Sequence, residues 1–135
     1  MKKGFIDVAP KGLNRVQTQM CGSCSVECAY KYAMINYMAK KRGGLDVAPT
    51  QEELDSCACN SLPGTPNLGV LSFKSGFHGR MFGSLTTTRT KPMFKLDVPA
   101  FDWPAAEPPR YKYPLDENKE YNAAQDEASL ADVRH

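Results

Sequence analysis

The sequence lacks a long apolar run. No stretch approaches the roughly 20 residues that a membrane-spanning helix needs, and mean hydropathy is −0.47. It also lacks an excess of one charge: 17 Lys and Arg against 15 Asp and Glu leave +2 at pH 7 and a pI near 8.3. Without a basic face or tail, nucleic-acid binding has no compositional support. No apolar segment follows Met1-Lys2-Lys3, which argues against a secretory signal. The first twenty residues hold a single arginine, Arg15, and no serine, unlike a transit peptide. The cysteine count is odd. Cys21, Cys24, Cys28, Cys57 and Cys59, without an export signal, point to reduced thiols in an intracellular compartment rather than a secreted disulfide framework.

The 135 residues make one domain of ordinary size, able to bury about two-thirds of its unfolded surface. Residues 1–20 carry Pro10 and Gly12 and show no long period, and Val16-Gln17-Thr18-Gln19-Met20 is a short extended run leading into a glycine turn. Val26, Tyr30, Ala33, Met34, Tyr37 and Met38 then fall on one face of a 3.6-residue period, which predicts a helix. Ser23 or Ser25 can cap its start. Lys40, Lys41 and Arg42 suit the negative end of its dipole, and Gly43-Gly44 stops it. Thr50-Gln51-Glu52-Glu53 has the form of a capping box opening a short helix to about Cys59. Pro63, Gly64 and Pro66 break the chain. Val70-Leu71-Ser72-Phe73 reads as a short buried strand, and residues 80–88 as one or two helical turns. Most of the ten prolines lie in 92–114, which excludes long regular structure there. From Asp116 the chain is acidic, alanine-rich and reads as a helix. Helix, strand, helix is an α/β order with parallel pairing. Two strands alone leave unpaired edges. The expected architecture is therefore an incomplete, mostly parallel sheet with flanking helices, part of a larger α/β domain and marginal in isolation.

Two motifs carry chemistry. Cys21-Gly22-Ser23-Cys24-Ser25 stands at the mouth of the predicted helix. The first N–H groups of a helix have no partner within it, and with the dipole they favour an anion. Glycine lets a phosphate approach the backbone, and the serine hydroxyl adds a donor; the plain alternative is a capped helix without a ligand. Cys21 and Cys24 form a C-x-x-C pair with three readings: two small buried thiols, ranked first, then a metal site needing about four ligands, and last a redox pair. Cys57 and Cys59 do not supply a second C-x-x-C. The second motif is Gly76-Phe77-His78-Gly79-Arg80. An exposed Phe77 ring can stack on a flat cofactor or pack in a core. Arg80 offers a rigid fork for a carboxylate or a plain surface charge. His78 is a base or a satisfied loop histidine, the latter favoured.

Taken with Val8-Ala9-Pro10-Lys11-Gly12, Val16-Gln17-Thr18, Leu71-Ser72-Phe73, Pro99-Ala100-Phe101-Asp102-Trp103-Pro104 and Tyr113-Pro114-Leu115, these motifs resemble the class III aminotransferases, pyridoxal-phosphate enzymes of fold type I. Within them the likeness is to members of animal type that act on 4-aminobutyrate. It covers about residues 8–120, with 8–114 the resembling segment and 115–135 an acidic helical tail. It implies that residues 1–135 are a single partial cofactor-binding large domain of that α/β fold.

The resemblance further implies pyridoxal 5'-phosphate as cofactor, bound by Gly22 and Ser23 at its phosphate and by Phe77 and His78 at its ring. Arg80 would bind the substrate carboxylate. Cys21 and Cys24 would be ligands of a [2Fe–2S] cluster shared across a homodimer. Glu27 falls at the family's glutamate after the serine turn, while Val26 and Cys28 depart from its asparagines. The implied reaction is transamination between 4-aminobutyrate and 2-oxoglutarate, in the mitochondrial matrix, with neither nucleic acid nor membrane as partner. No catalytic residue is assigned within this chain. The family's cofactor-bonding lysine, its pyridine-nitrogen aspartate and a further glutamate lie beyond residue 135 in the resemblance. None of the eleven lysines, Lys74 and Lys91 included, has the matching context. The chain alone is then expected to be inactive. Two other classes stay open: a non-catalytic cofactor- or phosphate-binding or dimerisation module, and an independent iron–sulfur or zinc protein.

Overall fold

The computed structural model describes residues 2–134. In chain order it contains α1 (Lys2–Asp7), α2 (Gly22–Arg42), α3 (Gln51–Ala58), β1 (Ser72–Phe73), α4 (Phe82–Thr87), β2 (Ala105–Ala106) and α5 (Lys119–Arg134), with 3-10 turns at Pro92–Phe94 and Leu115–Glu117. The two strands pair in parallel, Ser72 opposite Ala105 and Phe73 opposite Ala106. The class is thus α/β, a small parallel sheet with helices, as the sequence predicts. No described helix is long and apolar enough to cross a membrane.

Helix α2 begins and ends near the predicted points. Gly43, at φ +112°, closes it and returns its N–H to Ala39 and Lys40 carbonyls. Such a backbone angle strains any residue with a Cβ. The cap at the start is a correction: Cys21, not Ser23 or Ser25, holds the N-cap position, its sulphur accepting the Cys24 N–H at 3.5 Å. Ser25 turns its hydroxyl back to the Cys21 carbonyl (3.1 Å), and Ser23 is engaged elsewhere. Helix α3 has the predicted capping box, Thr50 with Glu53. The Glu53 carboxyl also pairs with Arg42 at 3.2 Å, and the Thr50 N–H followed by Arg42 holds its pKa below the usual carboxylate value.

Residues 2–7 form α1, too short to display the long period that residues 1–20 lack. Two further expectations need correction. Val16–Met20 forms no strand. The partner of β1 is instead β2, two alanines inside the proline-rich stretch, where Pro104 and Pro108 leave room for only a short strand. The predicted strand Val70–Phe73 shortens to Ser72–Phe73, of which only Ser72 is buried.

The core is mostly polar. Only Ala39, Leu85 and Ala106 are buried hydrophobics among the described residues, whereas Ser84, Thr86, Thr87 and Thr88 are at most 2% exposed. All of α4 except Phe82 is buried. Helix α2 packs on it through polar contacts. Glu27 accepts the Ser84 N–H at 2.7 Å, and the Tyr30 hydroxyl meets Thr87 Oγ1 at 2.8 Å. Helix α5 docks on the sheet side through Asn122, which bonds both the N–H and the carbonyl of Lys112, and through Ser129 on the Glu107 carbonyl. Buried polar groups are costly unless each finds a partner, and here they do; no buried side-chain N or O among the described residues is left unpaired.

Thr88 fixes the loop that leaves β1. Its hydroxyl oxygen accepts the N–H groups of His78 (2.9 Å) and Gly79 (3.2 Å) and its proton lies within reach of the Gly79 and Ser84 carbonyls (2.9 Å each). Thr88→Val keeps the shape and strands both N–H groups. Each stranded group costs about 1–3 kcal/mol. The expected outcome is a lower unfolding free energy together with faster amide exchange at His78 and Gly79; unchanged exchange there would show that another contact holds the loop.

Candidate functional site

The two sequence motifs meet. The Arg80 N–H donates to Ser23 Oγ at 3.0 Å, joining residues 57 positions apart. The loop 76–80 leaves β1, is pinned by Thr88, and passes over the mouth of α2. Gly79 makes the crossing possible. Its φ is +133°, and a Cβ there would collide with the Ser23 side chain and stand 2.7 Å from Ser84 Oγ. No other residue combines that backbone angle with that clearance.

A cleft of about 430 Å³ opens at this crossing, lined by Cys21, Gly22, Ser23, Val26, Phe77, His78 and Gly79. Five of the sequence-predicted residues, Cys21, Gly22, Ser23, Phe77 and His78, therefore line one cleft. Cys24 N–H and Ser25 N–H are taken by Cys21, whose sulphur the Ser23 N–H also faces, which leaves the Gly22 N–H free and the Ser23 N–H shared as the remaining donors of the first turn. An added Cβ at Gly22 would meet nothing within 4 Å, so the approach to those donors is open. This donor set suits a phosphate group. Phe77 is 53% exposed, a free ring rather than a core residue. It touches Phe94 edge-on, centroids 6.0 Å apart at 73°. The chemistry and the space fit pyridoxal phosphate, a phosphate on a flat aromatic ring.

Arg80 projects beside the cleft. Its guanidinium carbon lies 4.1 Å from the Phe94 ring centre and 5.8 Å from that of Phe77. Among the described residues the guanidinium makes neither an ion pair nor a hydrogen bond, so its donors remain available. Glu27 is engaged in capping α4 through Ser84; a Cβ at Gly83 would stand 2.9 Å from its Oε2. Lys74 is engaged by Glu107 at 2.9 Å, and Lys91 caps the exposed turn at Pro92.

The cysteine ranking is corrected: Cys21 is exposed and Cys24 half-buried, so neither is a buried thiol. Their sulphurs are 3.5 Å apart, and Cys24 also touches Met81 Sδ at 3.6 Å. The Cys24 N–H and then the Cys24 thiol stabilise an ionised Cys21 and hold its pKa below the usual thiol value. The same hydrogen bond raises that of Cys24. Two thiols are half of what a four-ligand site needs. Among the described residues no group of three or more His, Cys, Asp or Glu could hold a metal ion. The [2Fe–2S] and zinc expectations gain no support from this chain's own geometry.

Thr88, Phe94 and Lys95 escaped the sequence reading. Each acts through contacts with residues distant in the chain, and none belongs to a recognisable local pattern. A thiolate is the reactive form of cysteine, so iodoacetamide at neutral pH should label Cys21 well before Cys24, as peptide mapping by mass spectrometry will show. Equal rates would mean the two sulphurs do not share a proton.

The profile of the family described as Aminotransferase class-III matches residues 1–135. A 4-aminobutyrate aminotransferase of Dictyostelium discoideum is 53% identical over 133 residues, 98% of this chain and 26% of that protein. The mitochondrial 4-aminobutyrate aminotransferase of Homo sapiens is 43% identical over 133 residues, 98% of this chain and 26% of its own length. Among solved structures, a lysine aminotransferase from M. tuberculosis superposes with a TM-score of 0.60 at 27% identity, over 98% of this chain and 26% of that one. The chain thus spans about a quarter of the length of these relatives. Matched by the family along its whole length, with the glycine turn and the arginine loop brought into contact, the chain belongs to the class-III aminotransferases.

Proposed function

We propose that this chain is the part of a 4-aminobutyrate aminotransferase that grips the cofactor phosphate and the substrate carboxylate, working within a longer polypeptide that supplies the cofactor-bonding lysine. The observation that supports this is the Ser23–Arg80 hydrogen bond, which joins the first turn of α2 to the loop that carries Phe77 and Arg80. The names of the relatives give the substrate.

Pyridoxal phosphate, when bound, supplies the electron sink for moving an amino group between 4-aminobutyrate and 2-oxoglutarate. The rest is the protein's work. The Gly22 and Ser23 N–H groups and the α2 dipole hold the phosphate dianion. The Ser23 hydroxyl, whose oxygen already accepts the Arg80 N–H, has its own proton left to donate to the same group. Phe77 offers a ring face to the pyridine, and His78 forms the wall beside it. Arg80 takes the carboxylate remote from the reacting amine by a two-pronged contact. A substrate without that carboxylate forgoes the charge-assisted, two-pronged contact, which is the basis of selection.

Several relatives are named mitochondrial, which supports the matrix as the compartment. A homodimer is the assembly carried over by resemblance. A [2Fe–2S] cluster between two copies would draw Cys21 and Cys24 from each, four thiolates in all.

The experiment uses the longer protein loaded with pyridoxal phosphate. Arg80→Ala should lower kcat/KM for 4-aminobutyrate by roughly 10- to 150-fold, the range for a hydrogen bond to a charged group. Turnover of butylamine, which lacks the carboxylate, should change little. Borohydride should trap a covalent adduct in the longer protein and none in residues 1–135 alone. Cofactor binding without any trappable adduct in the longer protein would favour a non-catalytic binding module.

A further inference from the structure

Arg80 is exposed, long and free of anionic partners, so a carboxylate would have to capture it from many rotamers unless something aims it. An arginine side chain has much rotamer entropy to lose when it is fixed. The geometry points to Phe94 as the residue that aims it: we infer that Phe94 is a positioning residue, holding the Arg80 guanidinium ready for the substrate carboxylate. This rests on the carboxylate-binding role proposed for Arg80.

The contact is specific in kind. The guanidinium carbon sits over the Phe94 ring at 4.1 Å from its centre, well inside the range of a cation–π attraction. An acidic partner would hold the cation as firmly, but would occupy its donors and cancel its charge. A ring face does neither, and leaves the N–H fork to the ligand. Phe94 meets Phe77 only by an edge contact, centroids 6.0 Å apart, whereas the Arg80 guanidinium lies over its face.

Phe94 is itself held. It ends a 3-10 turn begun by Pro92, and its N–H bonds the Lys91 carbonyl at 3.1 Å. The next residue, Lys95, is anchored harder. Its ammonium donates to three carbonyls at the end of α4: Leu85 at 2.5 Å, Thr86 at 3.2 Å and Thr88 at 2.9 Å. The hydroxyl of that same Thr88 fixes His78 and Gly79. The end of α4 therefore anchors both sides of the contact, the loop carrying Arg80 and the turn carrying Phe94. Their spacing is a property of that frame and not of two mobile side chains finding each other.

The test is steady-state kinetics of the longer, cofactor-loaded protein with 4-aminobutyrate and with butylamine. Phe94→Leu should raise KM for 4-aminobutyrate roughly 2- to 30-fold, as loss of a cation–π contact does, with kcat within about twofold and butylamine turnover unchanged. Phe94→Tyr, which keeps the ring, should restore the KM. A Phe94→Leu protein with the wild-type KM overturns the inference. So does one impaired equally towards both amines, since that is a packing defect. If Phe94→Leu fails to fold, Phe94→Met, flexible and ring-free, is read by the same criteria. If the unmodified protein turns over neither amine, the proposed function fails and Phe94 is judged directly. The NMR signal of the Arg80 Nε–H should then lose its ring-current shift in the ring-free variant, and an unmoved signal overturns the positioning role.

Discussion

One hydrogen bond organises this molecule, that from the Arg80 N–H to Ser23 Oγ. It ties the first turn of the longest helix to the loop that leaves the sheet. Break it, and the helix mouth and the arginine loop are merely two surface features. Keep it, and the amides of Gly22 and Ser23 and the backbone that carries Phe77 and Arg80 occupy fixed relative positions. The bond needs Gly79 beside it, because at φ +133° and in contact with two serines no side chain fits there. It also needs Thr88, which fixes the loop's backbone from beneath.

The support under this bond is polar. A hydrophobic core tolerates repacking if its volume is conserved. A core of Ser84, Thr86, Thr87 and Thr88 does not, because each hydroxyl serves a named partner and a displaced one leaves a buried group unsatisfied. The element fixed most firmly is thus the one that must set distances, α4 and the residues at its end. Glu27 caps its start from α2, and Lys95 closes its end from the following turn. Apolar surface is left in the open by comparison: Tyr37, Leu71 and Phe73 are 39–47% exposed, although the first lies on the predicted apolar face of α2 and the other two in the predicted buried strand. Amphipathic patterning shows which face a helix offers. It does not say that anything in this chain covers it.

Helix positions were legible wherever one local rule decided them. The 3.6-residue period and the double glycine give α2, and the Thr50–Glu53 pair gives α3. The candidate site residues were legible as types: a glycine-serine turn, a free aromatic, an arginine. Strand pairing was not, because β2 is two alanines among prolines and becomes a strand only by lying beside Ser72 and Phe73. The cap of α2 was misread for a related reason. Serine is the better cap in isolation, but here its hydroxyl has a partner 57 residues away, and cysteine takes the vacant place.

By itself the sequence determined the class of fold, the long helix and the chemical inventory of the site, since these derive from periodicity, glycine placement and side-chain type, all short-range properties. Tertiary structure alone decided which of those residues meet. Thr88, Phe94 and Lys95 owe their roles to closeness in space, through side-chain contacts with residues well outside their own turn that no local pattern encodes.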